Sequence, residues 1–239
     1  MATYVLVHGG GHGGWCWRRL APLLRAEGHD VYTPTLTGLG ERVHLLSPDV
    51  DLDTHITDVV GLLKYEDLTD VILVGHSYGG MVITGVADRA LSRVGQLVYL
   101  DGSRPRDGES LADVAEDAMA KIWSAGRVVN GVELVLFPDT NPLGSFGVTE
   151  TEDIAWMRSK LTPHPWNTFA QPIRLANQAA VARIPRTNIN CTPTLQARDE
   201  EARSRALDGD RVWEVDTGHD LMITEPDAVA AMLLKLALL

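Results

Sequence analysis

The chain carries only two cysteines, Cys16 and Cys191, in 239 residues. Thiols so few and so far apart exclude a disulfide framework and a cysteine-rich metal site, and both read as small buried apolar side chains. Positive charge is also scarce: 21 Lys and Arg stand against 32 Asp and Glu, a net charge of −11. That balance argues against the basic stripe that grips a phosphate backbone, so no nucleic-acid partner is expected. No apolar run approaches the roughly 20 residues that cross a bilayer, and no membrane partner is expected. Met1-Ala2-Thr3 leads straight into Tyr4-Val5-Leu6-Val7 without the basic and apolar regions of a secretory leader, which makes a cytoplasmic location the expectation. Neither an internal repeat nor a low-complexity tract is present.

The composition is 45% hydrophobic, enough for one sizeable core at this length. Strand-like apolar runs alternate with helical patterns, which predicts an α/β fold with a mostly parallel, six-stranded sheet. Strands are expected at Tyr4–His8, Asp30–Thr33, Asp70–Val74, Gln96–Leu100 and Arg211–Val215, with one more at either Thr187–Thr192 or Pro193–Ala197. Helices are expected at Cys16–Glu27, Leu52–Tyr65, Gly79–Leu91, Leu111–Val128, Glu150–Lys160 and Pro226–Leu238. From Ser103 to Pro172 the alternation breaks and aromatic residues gather. Residues 103–172 read as a small cap inserted over the carboxyl edge of the sheet, with 1–102 and 173–239 as the core. Such a cap would supply an apolar pocket. Gly9, His12, Trp123 and Trp156 are its expected substrate-facing residues.

The run Val71-Ile72-Leu73-Val74-Gly75-His76-Ser77-Tyr78-Gly79-Gly80-Met81 sets Gly-x-Ser-x-Gly between a strand and a helix. That context makes Ser77 the candidate nucleophile of an elbow, its hydroxyl above a helix N-terminus that favours developing negative charge. A serine needs a base within hydrogen-bond reach. His219 follows the last strand through Thr217-Gly218, the position this architecture requires. His76 flanks the nucleophile and is expected to point away, while His29, His44, His55 and His164 read as solvated or structural. The oxyanion needs two donors, and the backbone N–H groups of Tyr78 and Gly10 are the candidates. Gly10 sits in His8-Gly9-Gly10-Gly11-His12-Gly13-Gly14, whose glycines can expose N–H groups.

The acid that should orient His219 is open between two residues. Asp101 ends the strand Gln96–Leu100, beside the nucleophile's strand. Asp199 would serve if Pro193–Ala197 were the penultimate strand, although that leaves only a tight helix and strand before His219. This chemistry calls for no metal and no cofactor.

At these residues the chain resembles α/β-hydrolases of the group that holds plant methylesterases, salicylate-binding esterases, hydroxynitrile lyases and bacterial pyrethroid-hydrolase-like carboxylesterases. The resemblance runs almost end to end. It rests on Val5-Leu6-Val7-His8-Gly9 with His12-Gly13-Gly14-Trp15, on Thr33-Pro34-Thr35-Leu36-Thr37-Gly38-Leu39-Gly40-Glu41-Arg42, on the elbow, and on Thr217-Gly218-His219-Asp220. It implies a serine hydrolase that cleaves small apolar carboxylic esters, with Ser77 and His219 as nucleophile and base and Gly10 and Tyr78 at the oxyanion hole. The alternatives are a C–C lyase, decarboxylase or cyclisation enzyme with His219 as base, or a small-molecule-binding protein with vestigial hydrolysis. The group's usual acid falls near Thr192–Thr194, where this chain has none. Its lyases carry Thr at the position of Gly9 and Lys at that of Asp220, which favours the esterase reading. The expected partner is a small-molecule ester. The oligomeric state is left open, a homodimer among the options.

Overall fold

Six consecutive residues from Val71 to His76 are buried, the pattern of a strand covered by helices on both faces. The computed structural model describes residues 1–239. Its strands are β1 (Thr3–Val7), β2 (Asp30–Tyr32), β3 (Val71–His76), β4 (Val94–Leu100), β5 (Arg127–Val129), β6 (Val132–Val135), β7 (His164–Pro165), β8 (Arg186–Cys191) and β9 (Arg211–Val215). Its helices are α1 (Leu20–Ala26), α2 (Leu52–Tyr65), α3 (Gly79–Arg89), α4 (Leu111–Val114), α5 (Glu116–Ser124), α6 (Thr151–Arg158), α7 (Asn167–Ala170), α8 (Gln178–Val181), α9 (Thr192–Ala197), α10 (Glu200–Leu207), α11 (Leu221–Thr224) and α12 (Pro226–Leu236).

Six strands pair in the order β2-β1-β3-β4-β8-β9, all parallel. The chain leaves β1 towards β2 on one side and returns to β3 on the other. The loops after β1 and β3 therefore meet at the point where the winding reverses, the place where ligands bind in open α/β sheets. Against this sheet packs α3, buried at every residue except Arg89. A helix buried on all sides belongs inside a core. The second sheet, β5-β6-β7, is small and antiparallel and lies in the segment between β4 and β8.

Three expectations are corrected. Pro193–Ala197 is not a strand: β8 ends at Cys191 and residues Thr192–Ala197 form α9. Pro193 lacks an N–H and its fixed φ suits the first turn of a helix, where that donor has no partner anyway. The helix expected over Leu111–Val128 is two helices, broken at Ala115 (φ −134°, ψ 49°), and Val128 lies in β5. There Asn130 and Gly131 both hold positive φ, 51° and 80°. Asn-Gly between two valine-bearing strands is the turn whose twist matches a hairpin, and it is a signal the helical reading overrode. Cys16–Glu27 likewise splits into a 3₁₀ turn at Gly14–Trp17 and α1.

Leu73, in the middle of β3, is fully buried. Leu73→Ala is expected to lower unfolding free energy by about 2–5 kcal/mol, through lost transfer energy and an unfilled cavity. The urea midpoint measures this.

Candidate active site

Ser77 joins β3 to α3 with a positive φ of 54°. A serine tolerates this conformation poorly, so its surroundings must enforce it. They do so by close approach. A Cβ on Gly75 would lie 2.5 Å from the Gly79 carbonyl oxygen, and one on Gly79 would lie 2.6 Å from that of Val7. The first turn of α3 is thereby pressed onto the end of β1. The Ser77 carbonyl accepts from the Gly80 and Ser103 N–H groups, each at 3.0 Å. Tyr78 stands at the N-terminus of α3, whose first N–H groups have no partner within the helix.

Buried histidines hold the glycine loop after β1. His8 Nδ1 donates to the Gly9 carbonyl at 2.9 Å, and its Nε2 accepts from Leu36 N–H at 3.0 Å. The Gly9–Gly10 peptide, whose N–H is the candidate oxyanion donor, is thus tied at its other end. The next peptide is clamped twice: Gly10 O accepts from His12 Nδ1 at 2.8 Å, and Gly11 N–H donates to His164 Nδ1 at 3.1 Å. His55 accepts from the Tyr78 hydroxyl at 2.9 Å and donates to Thr37 O at 2.8 Å. His55 and His164 are both fully buried, so the solvated reading fails for them and the structural one remains. Sequence reading left them without partners because nothing in their neighbours along the chain indicates the loop they meet.

At the end of β4, Asp101 is buried with its Oδ2 2.6 Å from His219 Nδ1. Its Oδ1 accepts from Arg198 Nη2 at 2.9 Å. Asp199 is elsewhere: its carboxylate caps α10 by accepting from Ala202 N–H at 2.8 Å. Burial would raise the Asp101 carboxyl, but the His219 hydrogen bond and the charges of His219 and Arg198 outweigh it and hold it down to about 2. Burial would lower His219, yet the hydrogen bond and charge of Asp101 raise it above its ordinary 6.5. A quarter of the His219 side chain stays exposed, which limits the burial penalty and supports the upward direction. Arg198 was not singled out in the sequence, where an arginine between two helices gives no local sign of its partner.

Ser77, His219, Gly10 and Tyr78 line one small cavity, walled by Leu111, Met119, Ile122, Leu136, Phe146 and Phe169. His12 and His76 also reach it, and His76 Nε2 donates to the His219 carbonyl at 2.9 Å. The expected wall needs correction. Trp123 is 44% exposed and its ring lies on Trp166, because α5 turns Met119 and Ile122 inward instead. Trp156 packs edge-on against Trp15, with Arg19 over its ring. Gly9 sits beneath Ser77, where a Cβ would come within 2.9 Å of Ser77 Cβ. A larger cavity among Arg104, Arg198, Arg205 and Asp199 contains neither Ser77 nor His219.

The depressed Asp101 contributes stability above its unfolded value of 3.8 and loses it as pH falls through about 2. The raised His219 contributes below 6.5 and loses it as pH rises through its folded value. The stability gap between wild type and Asp101→Asn is therefore expected to be widest between about pH 4 and 6.5. Urea unfolding across pH measures it; a gap that widens above pH 7 contradicts this account.

Residues 4–232 match the model of the alpha/beta hydrolase family. The carbendazim hydrolyzing esterase of Nocardioides sp. (strain SG-4G) is 38% identical over 99% of this chain and 100% of its own length. Methylesterase 1 of Arabidopsis thaliana is 27% identical over 98% of this chain and 95% of its own. An extracellular alpha/beta-hydrolase from a Paenibacillus species superposes with a TM-score of 0.79 at 25% identity, covering 98% of both chains. A Gly-x-Ser-x-Gly turn at a sheet switch point, with a family match across nearly the whole chain, leads to one conclusion: the chain belongs to the alpha/beta hydrolase family and is a carboxylesterase-type hydrolase.

Proposed function

We propose that the protein hydrolyses small apolar esters through an acyl-enzyme on Ser77, with His219 as general base and Asp101 as the acid that orients it. The observation that carries this reading is the 2.6 Å bond between Asp101 Oδ2 and His219 Nδ1, on a histidine that shares its cavity with Ser77. Donation from Nδ1 to a carboxylate fixes the tautomer and leaves Nε2 to take the serine proton. No hydrogen bond joins Ser77 to His219 in this structure; such contacts tighten when substrate fills the site.

Ser77 Oγ attacks the ester carbonyl as its proton passes to His219. Negative charge then collects on the carbonyl oxygen, which the Gly10 and Tyr78 N–H groups receive. His219 returns the proton to the departing alcohol, and the acyl group stays on Ser77. Water, deprotonated by the same histidine, releases the acid and restores the serine.

The cavity favours uncharged substrates, since apart from histidines and Ser77 its side chains are apolar or aromatic. The lyase reading loses ground at Gly9, because a side chain there would collide with Ser77 Cβ. Asp220, contrary to the sequence expectation, is fully buried and paired with His12, so it does not bear directly on a leaving group.

Mixing the enzyme with p-nitrophenyl acetate in stopped flow is expected to give a burst of one alcohol per active site, absent in Ser77→Ala. Asp101→Asn should lower kcat roughly 10³–10⁴-fold. Asp199→Ala should leave kcat unchanged and cost about 1 kcal/mol of stability through the lost cap. Turnover that survives Ser77→Ala sinks the acyl-enzyme reading. Across p-nitrophenyl esters, kcat/KM is expected to fall about tenfold or more from butyrate to laurate, because a long chain overfills the wall at Met119 and Ile122. Carbendazim belongs in the same panel, given the relative named for it.

A further inference from the structure

Each of the buried histidines around the glycine loop reveals its protons through its partners. In His8, His55 and His164 one ring nitrogen faces a donor and the other an acceptor, so one proton per ring suffices. His12 is different. Its Nδ1 meets the Gly10 carbonyl at 2.8 Å and its Nε2 meets Asp220 Oδ2 at 2.9 Å. Both are acceptors. A carbonyl cannot donate, so Nδ1 carries a proton, and an ionised Asp220 demands a second on Nε2.

The surroundings favour that ionised pair. His12 and Asp220 are buried, 1% and 0% exposed by side chain. The other carboxylate oxygen, Asp220 Oδ1, has no hydrogen-bond partner. His76 Nε2, 3.7 Å from it, is already committed to the His219 carbonyl. A lone buried carboxylate is costly, and His12 is the cation placed to compensate it. Burial pushes Asp220 up, but the charge and hydrogen bond of His12 outweigh this and hold it below the usual carboxylate range. The ring cannot swing free, since it stacks on Trp15 at 5.3 Å and meets the edge of Phe146 at 5.2 Å.

We propose that Asp220 keeps His12 as an imidazolium, and that this fixed cation positions the Gly10 loop and favours negative charge developing at the oxyanion site. The proposal rests on the acyl-enzyme reading. Two adjacent residues then serve two opposed pairs: His219 is a base oriented by Asp101, and Asp220 is an anion that maintains the charge of His12. The pair is neutral overall, so an uncharged ester meets no net charge on binding. The cation lies on the cavity wall and the anion behind it, so the orientation favours the transition state over the substrate. His12 acts through Gly10 and through its field, and is a positioning residue.

Asp220→Asn tests this while preserving shape. The Asn carboxamide N–H can donate to Nε2, the ring keeps its Nδ1–H bond to Gly10, and only the charges vanish. Measured with p-nitrophenyl acetate on the alkaline plateau, where His219 is neutral in both proteins, kcat is expected to fall roughly 10–100-fold with KM within about twofold. Affinity for a trifluoromethyl ketone, whose adduct carries an oxyanion, should fall by the same factor. In the ¹⁵N spectrum of histidine-labelled wild type, His12 should carry protons on both ring nitrogens at neutral pH, and on one in Asp220→Asn. An unchanged plateau kcat, or a singly protonated His12 in wild type, overturns the proposal. The spectrum of wild type needs no variant to fold. Absence of a burst in wild type would sink the acyl-enzyme reading and leave the spectrum to judge the charge of His12.

Discussion

Ser77 holds a backbone conformation that serine does not favour, and the contacts that hold it there also assemble the site. With φ at 54°, the chain turns from β3 into α3 within one residue. Gly75 and Gly79 let the helix start press onto β3 and the end of β1 without side chains in between. That approach brings the Tyr78 and Gly10 N–H groups, from two different loops, to one cavity. A larger residue at either glycine would have to move backbone, and the two donors would separate. The strain is local; the buried β1, β3 and α3 core around it offsets the cost.

Around this turn the protein accepts an unusual concentration of buried polarity. His8, His12, His55, His76, His164, Asp101 and Asp220 are all buried. Such groups are tolerable only when bonded, and three of the histidines, His8, His12 and His164, bond the backbone of the glycine loop, while His12 and Asp220 bond each other. Glycine peptides have no side chains to lock them, so the histidines supply the rigidity that glycine removes. Preorganised donors need no reorganisation as charge develops, which is the property an oxyanion site requires.

The segment between β4 and β8 completes the site differently. It contributes apolar wall through Leu111, Met119, Ile122, Phe146 and Phe169, while its tryptophans pack among themselves or against the core. Gly147 and Gly218 touch backbone to backbone, and the Phe146 carbonyl accepts from Asp220 N–H at 3.1 Å. This segment is therefore coupled to the loop that carries His219.

What the sequence determined by itself is what local chemistry dictates. The parallel sheet follows from apolar runs alternating with helical patterns. The elbow follows from glycines flanking Ser77 after a strand, and His219 from its place after the last one. Two missed features were local too: Pro193 at the start of a helix and Asn130-Gly131 at a hairpin turn carried their own signals. Tertiary structure alone decided the rest. Asp101 and Asp199 are both carboxylates near an element's end, and only the pairing of β4 with β8 and the placement of Arg198 bring one of them to His219. His12 and Asp220 are 208 positions apart, and nothing in either neighbourhood foretells their contact. A backbone turn is set by the few residues that form it, but an ion pair depends on where the whole chain places two side chains. The turns and strands were therefore legible in the sequence, and the charge network was not.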